Sequence, residues 1–507
     1  MKTFGKIEFG DFQTPLPLAQ EICGLLKRES IEAGTVLEPT CGLGAFLVAA
    51  AEAFPDARLV GLEINGSYLE AARQSLTSFG AAARMSLRSE DFFAADWDEE
   101  LASISGSLLI LGNLPWVTNA TVASLNGRNV PAKENFQNFR GIEAMTGKSN
   151  FDISEWMLIR LVRALRGRPA TIAMLCKSGT ARKLLRYAWQ NDGRIAEASL
   201  YRIDAKKHFN ASVDACLLLA RTGSSGPAEV AVYDTLQART PASYSGLAGQ
   251  DLVVDIRTYR RLQHLEGLCP YQWRSGVKHD CASVMELRPD PDGTFSNKLG
   301  EQVTLEPDYL YPLLKCTDLA NASVHPAKFV LVTQKRVGED TSSIATKAPR
   351  TWEYLNAHIR HFEARKSSIY NARVPFALFG IGDYAFAPWK VAVSGLHHHP
   401  RFVPVGPLNG RPVMFDDTCY FLSFADEQEA RTVVEILNSP HCLDFMESLM
   451  FRDTKRPVTA QLLQRLNLSA IANDAGLAAQ WKSLQRVSYA PAAETRQCEL
   501  AMEGHSR

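Results

Sequence analysis

Over roughly the first 240 residues, short apolar runs alternate with amphipathic stretches, the pattern of a parallel sheet covered by helices on both faces. The runs predict strands at Thr35 to Glu38, Arg58 to Ile64, Arg84 to Leu87, Ser107 to Gly112, Ala170 to Cys176, Arg194 to Arg202 and Ser212 to Arg221. Helices are expected between them at Ala45 to Phe54, Gly66 to Leu76, Asp152 to Leu165 and Gly179 to Trp189. From Arg239 to Gln250 the chain is rich in Ser, Gly, Ala and Pro, the composition of a linker. Beyond it the pattern loosens into short β-like runs at Phe329 to Gln334, Val374 to Phe379, Lys390 to Ser394 and Thr418 to Phe424, with a few helices near the C-terminus. Domains are therefore expected over 1–240 (α/β) and 266–485 (α+β), with a linker at 241–265 and a polar tail at 486–507.

A length of 507 residues exceeds one ordinary core, in keeping with two large domains. Hydrophobic residues at 46% and charged residues at 22% are the balance of a globular fold. The N-terminus has no apolar signal core and the longest apolar runs, such as Ala215 to Ala220, are far short of a membrane span, so a cytoplasmic protein without a membrane partner is expected. Ten cysteines lie scattered without a CxxC pair, which suggests neither a disulfide framework nor a zinc ribbon. Net charge is zero, yet from Asn321 to Arg411 there are 12 Lys or Arg against 5 Asp or Glu. A polyanion could be held against that stretch.

The segment Val36-Leu37-Glu38-Pro39-Thr40-Cys41-Gly42-Leu43-Gly44-Ala45-Phe46-Leu47 reads as a strand, a glycine turn and a helix. Gly42 and Gly44 let the backbone approach a ligand, and the helix start offers N–H groups to an anion. The next strand ends near Glu63 and Ile64, with Glu63 19 residues after Gly44, where a carboxylate can accept both hydrogens of a ribose diol. Asp91-Phe92 follows the third strand and offers an acceptor for an adenine amino group and a ring to cover the base. Leu47 stands where a dinucleotide fingerprint would need its third glycine, which argues against a nicotinamide cofactor.

The strand at Ser107 to Gly112 runs into Asn113-Leu114-Pro115-Trp116. An adenine amino group is a poor nucleophile because its lone pair is delocalised into the ring. Two acceptors on its two hydrogens draw the nitrogen toward sp³ character, and the Asn113 side-chain oxygen with the Leu114 carbonyl could supply them. Pro115 biases Leu114 toward an extended conformation that turns this carbonyl outward. Trp116 could then stack on the base, which must stand outside the duplex to be reached.

Asp11-Phe12-Gln13-Thr14-Pro15, the glycine turn, Glu63, Asp91-Phe92 and Asn113-Leu114-Pro115-Trp116 together resemble, in order, the motifs of the γ-type adenine-N6 methyltransferases of DNA. The resemblance covers roughly the first 220 residues. It implies a Rossmann-like class I methyltransferase domain with a mostly parallel seven-stranded sheet, followed by an α+β target-recognition domain. The implied cofactor is S-adenosylmethionine, held by Thr14, Glu38, Pro39, Cys41, Gly42, Gly44, Phe46, Glu63 and Ile64, with Asp91 and Phe92 on its adenine and Asn113 shared with the catalytic motif Asn113 to Trp116. Lys206-Lys207-His208-Phe209-Asn210 resembles the element that puts a ring on the other face of the flipped base, which makes Phe209 its counterpart. The implied setting is restriction-modification or phage defence, with double-stranded DNA as partner and room for a separate cognate restriction or defence component. Leu114 stands where the commonest catalytic motif has a proline, and Asn-Leu-Pro-aromatic is also similar to the motif of ribosomal RNA adenine dimethylases. RNA thus stays open as a substrate, as does a DNA-binding specificity module without turnover.

In the C-terminal half, basic residues mixed with aromatics and turns suggest phosphate contacts by Lys335, Arg336, Arg365, Lys366, Lys390, Lys455 and Arg456, joined by Lys148 from the long polar loop Thr118 to Asn150, which is expected to close over substrate. Three adjacent imidazoles at His397-His398-His399 point different ways in a loop, so no metal site is expected. Asp280, Glu286 and Lys278 lack the order of a metal-dependent nuclease motif, so methylation without cutting is expected.

Overall fold

Four buried residues, Thr35–Glu38, form β1, an inner strand of the largest sheet in a computed structural model whose described residues are 12–117, 152–165, 167–191, 193–371, 373–451 and 453–485. The chain divides into two units, Met1–Arg257 and Thr258–Arg507. In the first, β2 (Arg58–Glu63), β3 (Met85–Ser89), β4 (Leu108–Asn113), β5 (Ala170–Lys177), β6 (Ile195–Ile203) and β7 (Ala215–Thr222) join β1 in the order β6-β7-β5-β4-β1-β2-β3. All neighbours are parallel except β7, which runs antiparallel between β5 and β6. This is the mostly parallel seven-stranded arrangement implied above. The strand order reverses between β1 and β4, so the chains leaving their carboxyl ends diverge and open a crevice, where ligands of such sheets bind.

Helices α1 (Leu16–Arg28), α2 (Ala45–Ala53), α3 (Gly66–Ser78), α4 (Trp97–Ser103), α5 (Ile153–Ala164), α6 (Ser178–Gln190) and α7 (Ala205–Phe209) complete this part. The expected helices all form. The additional α1, α4 and α7 start at Pro15, Asp96 and Asp204, and the last two aspartates cap backbone N–H groups of their first turns.

The sheet extends past seven strands. Strands β8 (Glu229–Tyr233), β9 (Ser243–Ala248) and β10 (Asp251–Val253) continue from β6, so most of the stretch read as a linker at 241–265 is ordered sheet followed by the helix Ile256–Leu262. Its small residues answer to close packing. A Cβ on Gly246 would lie 2.9 Å from the Ala228 carbonyl oxygen, and Ser245 is buried with its hydroxyl donating to Val254 O at 2.8 Å. The expected tail at 486–507 lies outside the described residues.

The second unit is α+β. A four-stranded antiparallel sheet joins β11 (Arg274–Ser275), β20 (Cys419–Phe424), β17 (Trp389–Ser394) and β18 (Val403–Val405). A six-stranded sheet runs β14 (Gln302–Val303), β13 (Phe295–Ser296), β12 (Glu286–Pro289), β16 (Lys328–Leu331), β15 (Leu310–Leu314), β19 (Met414–Phe415). The apolar run Val374 to Phe379 is not a strand. Pro375 has no N–H for a ladder, Phe376 has φ 59°, and the groups around it are met by side chains: Thr341 Oγ1 donates to Pro375 O, Thr333 Oγ1 to Phe376 O, and Leu378 N to Gln334 Oε1. Among the described residues no helix is long and apolar enough to cross a membrane.

Gly44 shows how tightly the turn after β1 is built. It sits at φ 82°, and a Cβ there would lie 2.8 Å from Ala72 Cβ on α3. Gly80 has a similar φ of 71° with nothing within 4 Å of the same point. Gly80→Ala should cost the backbone penalty of about 1–2 kcal/mol, whereas Gly44→Ala should add about 1–3 kcal/mol of overpacking. Chemical denaturation of both variants measures the difference; equal losses would mean that α3 yields without cost.

Candidate active site and nucleic-acid interface

The crevice at the ends of β1, β2 and β4 is a cleft lined by segments 12–14, 38–46, 63–68, 90–93 and 113–117 and by Ile153 and Met157 of α5. Its floor is the glycine turn. Gly42, at φ 51°, donates its N–H to Glu63 Oε2 at 2.8 Å, and Asn65 N donates to Glu63 Oε1 at 2.9 Å. One carboxylate therefore ties the turn after β1 to the end of β2 and faces the cleft from a fixed orientation. Gln13 accepts from Leu43 N at 3.1 Å, which lays the N-terminal segment across the turn.

Of the expected cofactor contacts, Thr14, Glu38, Pro39, Cys41, Gly42, Phe46, Glu63, Ile64, Asp91, Phe92 and Asn113 all line the cleft. Gly44 does not; its role is the packing against Ala72 described above. Ile64 remains 43% exposed, an apolar surface presented at the cleft. Asp91 accepts from Phe93 N at 2.9 Å, while Phe92 is buried with its ring 4.5 Å from that of Trp97. Phe12 of the first motif lines the cleft as well, and so do Asn65, Tyr68, Glu90 and Phe93, which neither spacing nor residue type marks.

Three buried side-chain atoms of cleft residues have no hydrogen-bond partner among the described residues, Glu38 Oε2, Thr40 Oγ1 and Asn113 Oδ1, as does Trp116 Nε1 behind the cleft wall. Leaving a buried polar atom unpaired costs about 1–3 kcal/mol, so such a group concentrated at one cleft marks a ligand site. The Asn113 carboxamide is oriented by its nitrogen, which donates to Phe12 O at 3.0 Å and Thr14 Oγ1 at 3.3 Å, leaving Oδ1 to accept. Leu114 and Pro115 continue the cleft wall. Burial, with the charge of Glu63 behind it, holds the Glu38 carboxyl well above its ordinary range, so it keeps its proton where a surface glutamate has lost it.

The aromatic pair differs from expectation. Trp116 is buried between Phe12, at 5.5 Å between ring centroids, and Phe209, at 5.0 Å with 64° between planes. A base held between two faces needs them about 7 Å apart, twice the stacking distance of ~3.4 Å. Trp116 and Phe209 instead meet edge to face at 5.0 Å, with Phe12 packed against both, so the expected sandwich is closed.

The basic residues of the second unit divide. Lys335, Lys366 and Lys455 are exposed; Arg336 is exposed and paired with Asp383 at 2.7 Å, and Arg456 is half-buried against Asp417 at 3.1 Å. Two of these expectations are corrected. Lys390 is 1% exposed, with its ammonium donating to Ala387 O at 2.9 Å and Val413 O at 3.0 Å, and burial brings its pKa down to about 7. Arg365 donates to the carbonyls of Phe362, Ala377 and His279 and lies 3.7 Å over the Tyr370 ring. Both hold the fold and are withdrawn from phosphate. Lys148 and the loop Thr118 to Asn150 lie outside the described residues. His397 bonds Ser394 and His399 bonds Glu447.

Sequence reasoning missed a basic cluster. The carboxylate of Glu286, 3% exposed, receives Lys315 on Oε1, and on Oε2 Lys298 at 3.2 Å and Lys328 at 3.3 Å. Burial pushes this carboxyl up, and the Lys315 hydrogen bond and the charges of Lys315 and Lys298 outweigh it, bringing it down to about 2. These lysines are spread over 31 positions. Sheet pairing brings Lys328 beside Leu313, and Glu286 beside Val330, which no local pattern signals.

No protein-family model matches the chain. The Type II methyltransferase M.NspV of Nostoc sp. (strain ATCC 29411 / PCC 7524) is 43% identical over 472 residues, covering 92% of this chain and 98% of that protein. The Type II methyltransferase M.XamI of Xanthomonas campestris pv. amaranthicola is 30% identical over 108 residues, 21% of this chain and 20% of that protein. The Type IIL restriction-modification enzyme MmeI, solved in complex with DNA, aligns at a TM-score of 0.55 and 12% identity over 93% of this chain and 68% of its own, a likeness of fold.

The protonated state of Glu38 has a measurable consequence. The unfolded chain ionises it near 4.5, whereas the folded chain retains the proton, so folding takes up a proton above that pH and stability falls as pH rises. Relative to Glu38→Gln, the cofactor-free wild type should lose stability from about pH 4.5 upward until the folded carboxyl itself ionises. Urea denaturation of both proteins from acid to neutral pH checks this, and a pH-independent difference would mean that Glu38 is ionised in the fold.

Proposed function

The chain belongs to the type II methyltransferases, and from that premise we propose that it transfers a methyl group from S-adenosylmethionine to N6 of an adenine extruded from double-stranded DNA, beside a separate cognate restriction or defence component. The observation that carries this reading is the Asn113 carboxamide, whose nitrogen is anchored on Phe12 and Thr14 while its buried oxygen has no partner among the described residues.

The residues of the cleft fit S-adenosylmethionine. Glu63, held by Gly42 and Asn65, suits a ribose diol; Ile64 and Phe92 offer apolar contact for an adenine with Asp91 beside it; the unpaired Glu38 and Thr40 atoms suit the polar amino-acid end. When bound, it supplies a methyl group already activated on a sulfonium. Asn113 Oδ1 and the Leu114 carbonyl accept the two amino hydrogens of the target, localising the nitrogen lone pair and aiming it at the methyl group. Positioning accounts for most of the acceleration, since the donor needs no further activation. Trp116 and Phe209 part to admit the base, exchanging their contact with each other for contact with its faces. The exposed Lys335, Lys366 and Lys455 and the cluster Lys298, Lys315 and Lys328 bind phosphates, which fixes register without reading sequence.

Labelled methyl transfer to unmethylated duplex DNA and to RNA, using wild type and Asn113→Ala, tests the reaction. N6-methyladenine in DNA is expected, with turnover reduced about 100-fold or more in the variant, the scale for loss of one positioned hydrogen-bonding group. Label in RNA alone, or bound cofactor with no transfer, would overturn the proposal. For the interface, Lys298→Ala combined with Lys328→Ala should weaken duplex binding and reduce the magnitude of the log K against log salt slope by about 2, close to one per phosphate contact. Fluorescence anisotropy across a salt series reads this directly, and an unchanged slope would remove the cluster from the interface.

A further inference from the structure

Cys316 and Cys419 lie 103 positions apart in the chain, yet their Sγ atoms are 3.7 Å from each other, and Cys419 Sγ is 3.5 Å from Asp416 Oδ1. Ligand atoms of all three residues fall within 4.8 Å of one another. Two thiolates bound about 2.3 Å from a tetrahedral zinc stand about 3.8 Å apart, and such a thiolate and a carboxylate oxygen about 3.5 Å. Both observed distances match. From this geometry we infer that Cys316, Asp416 and Cys419 form a zinc site in the C-terminal unit.

The surroundings support a built site. Both sulfurs are buried, at 3% and 0% residue exposure, while Asp416 is partly open. Asp416 Oδ1 also accepts from Thr418 N at 3.1 Å and from the Thr418 hydroxyl, the outer bonding that orients a ligating carboxylate. The Ser394 hydroxyl lies against Cys316 and is itself held by His397 Nδ1 at 2.6 Å, and water would supply the fourth ligand of the ion. On binding, each thiol releases its proton to solvent. Two thiolates and a carboxylate then carry one negative charge more than a divalent ion neutralises. Lys315 Nζ, 3.9 Å from Asp416 Oδ2, offsets it.

The position suggests what the metal does. Cys316 begins the short helix that follows β15, Asp416 follows β19 and Cys419 opens β20, so the ion would join an edge of the six-stranded sheet to the four-stranded one. Because its ligands come from segments of both sheets, the ion would tie this corner together, and the free energy of binding appears as stability of the unit.

Metal analysis of the full chain purified without chelator should give one zinc per chain, and none in Cys316→Ser or Cys419→Ser. Asp416→Asn should retain zinc at least tenfold more weakly. Because a cysteine variant could lose zinc by misfolding, the wild type is also stripped and titrated with cobalt(II). A thiolate-to-cobalt charge-transfer band with tetrahedral ligand-field bands is expected, with Tm restored by metal. Zinc-free protein that gives no such band on cobalt addition, with both thiols titrating freely, would overturn the site. So would a Cys316 to Cys419 disulfide in the protein as isolated, found by mass spectrometry.

Discussion

A carboxamide held by its nitrogen presents its oxygen in a fixed direction, and in this protein the groups that hold Asn113 come from 101 and 99 positions earlier in the chain. Phe12 O and Thr14 Oγ1 take both available roles at Asn113 Nδ2, which leaves the oxygen as the buried acceptor at the end of β4. The geometry of the cleft follows from that anchorage. The N-terminal segment must cross the glycine turn to reach Asn113, and Gln13 bonds the turn on the way, so the same short stretch closes the floor and sets the acceptor.

The turn in turn depends on Glu63. Its carboxylate spans Gly42 and Asn65, joining the ends of two parallel strands whose following chains separate at the switch in strand order. An acidic group that is both a brace and a wall of the cleft is preorganised: it spends no reorganisation energy when a ligand arrives. Glu38, one strand along, is the opposite case, a carboxyl kept neutral by burial with one oxygen unpaired among the described residues. The same residue type at the ends of adjacent strands thus meets two environments, one that braces the carboxylate with backbone N–H groups and one that buries the carboxyl and raises its pKa.

In the second unit, charge is concentrated by the fold. One buried carboxylate gathers three lysines from three segments, and the adjoining corner brings two thiols and a carboxylate together. Lys390 and Arg365 show the reverse, cations that the fold encloses and satisfies with backbone carbonyls. A basic residue in a basic stretch is therefore no guide to which cation faces a polyanion.

The sequence by itself determined the seven-stranded core of the first unit and most of its cleft. Apolar runs specified the seven core strands and amphipathic stretches the expected helices, because a strand buried on both faces is written as a continuous apolar run and a one-faced helix at i+3 or i+4. The cleft residues were legible for a related reason: a parallel sheet collects the ends of successive strands on one edge, so motifs in strand order converge without further information. Short capped helices such as Trp97–Ser103 escaped notice because two turns carry too little periodicity. The small-residue stretch after Tyr233 read as a linker because a chain that needs no side chains for close strand packing has the same composition as one that needs none for flexibility. Tertiary structure alone decided which groups are buried and which meet across long separations. The enclosure of Lys390, the closed contact of Trp116 with Phe209, and the approach of Cys316 to Cys419 depend on distances between segments, a quantity that no local pattern encodes.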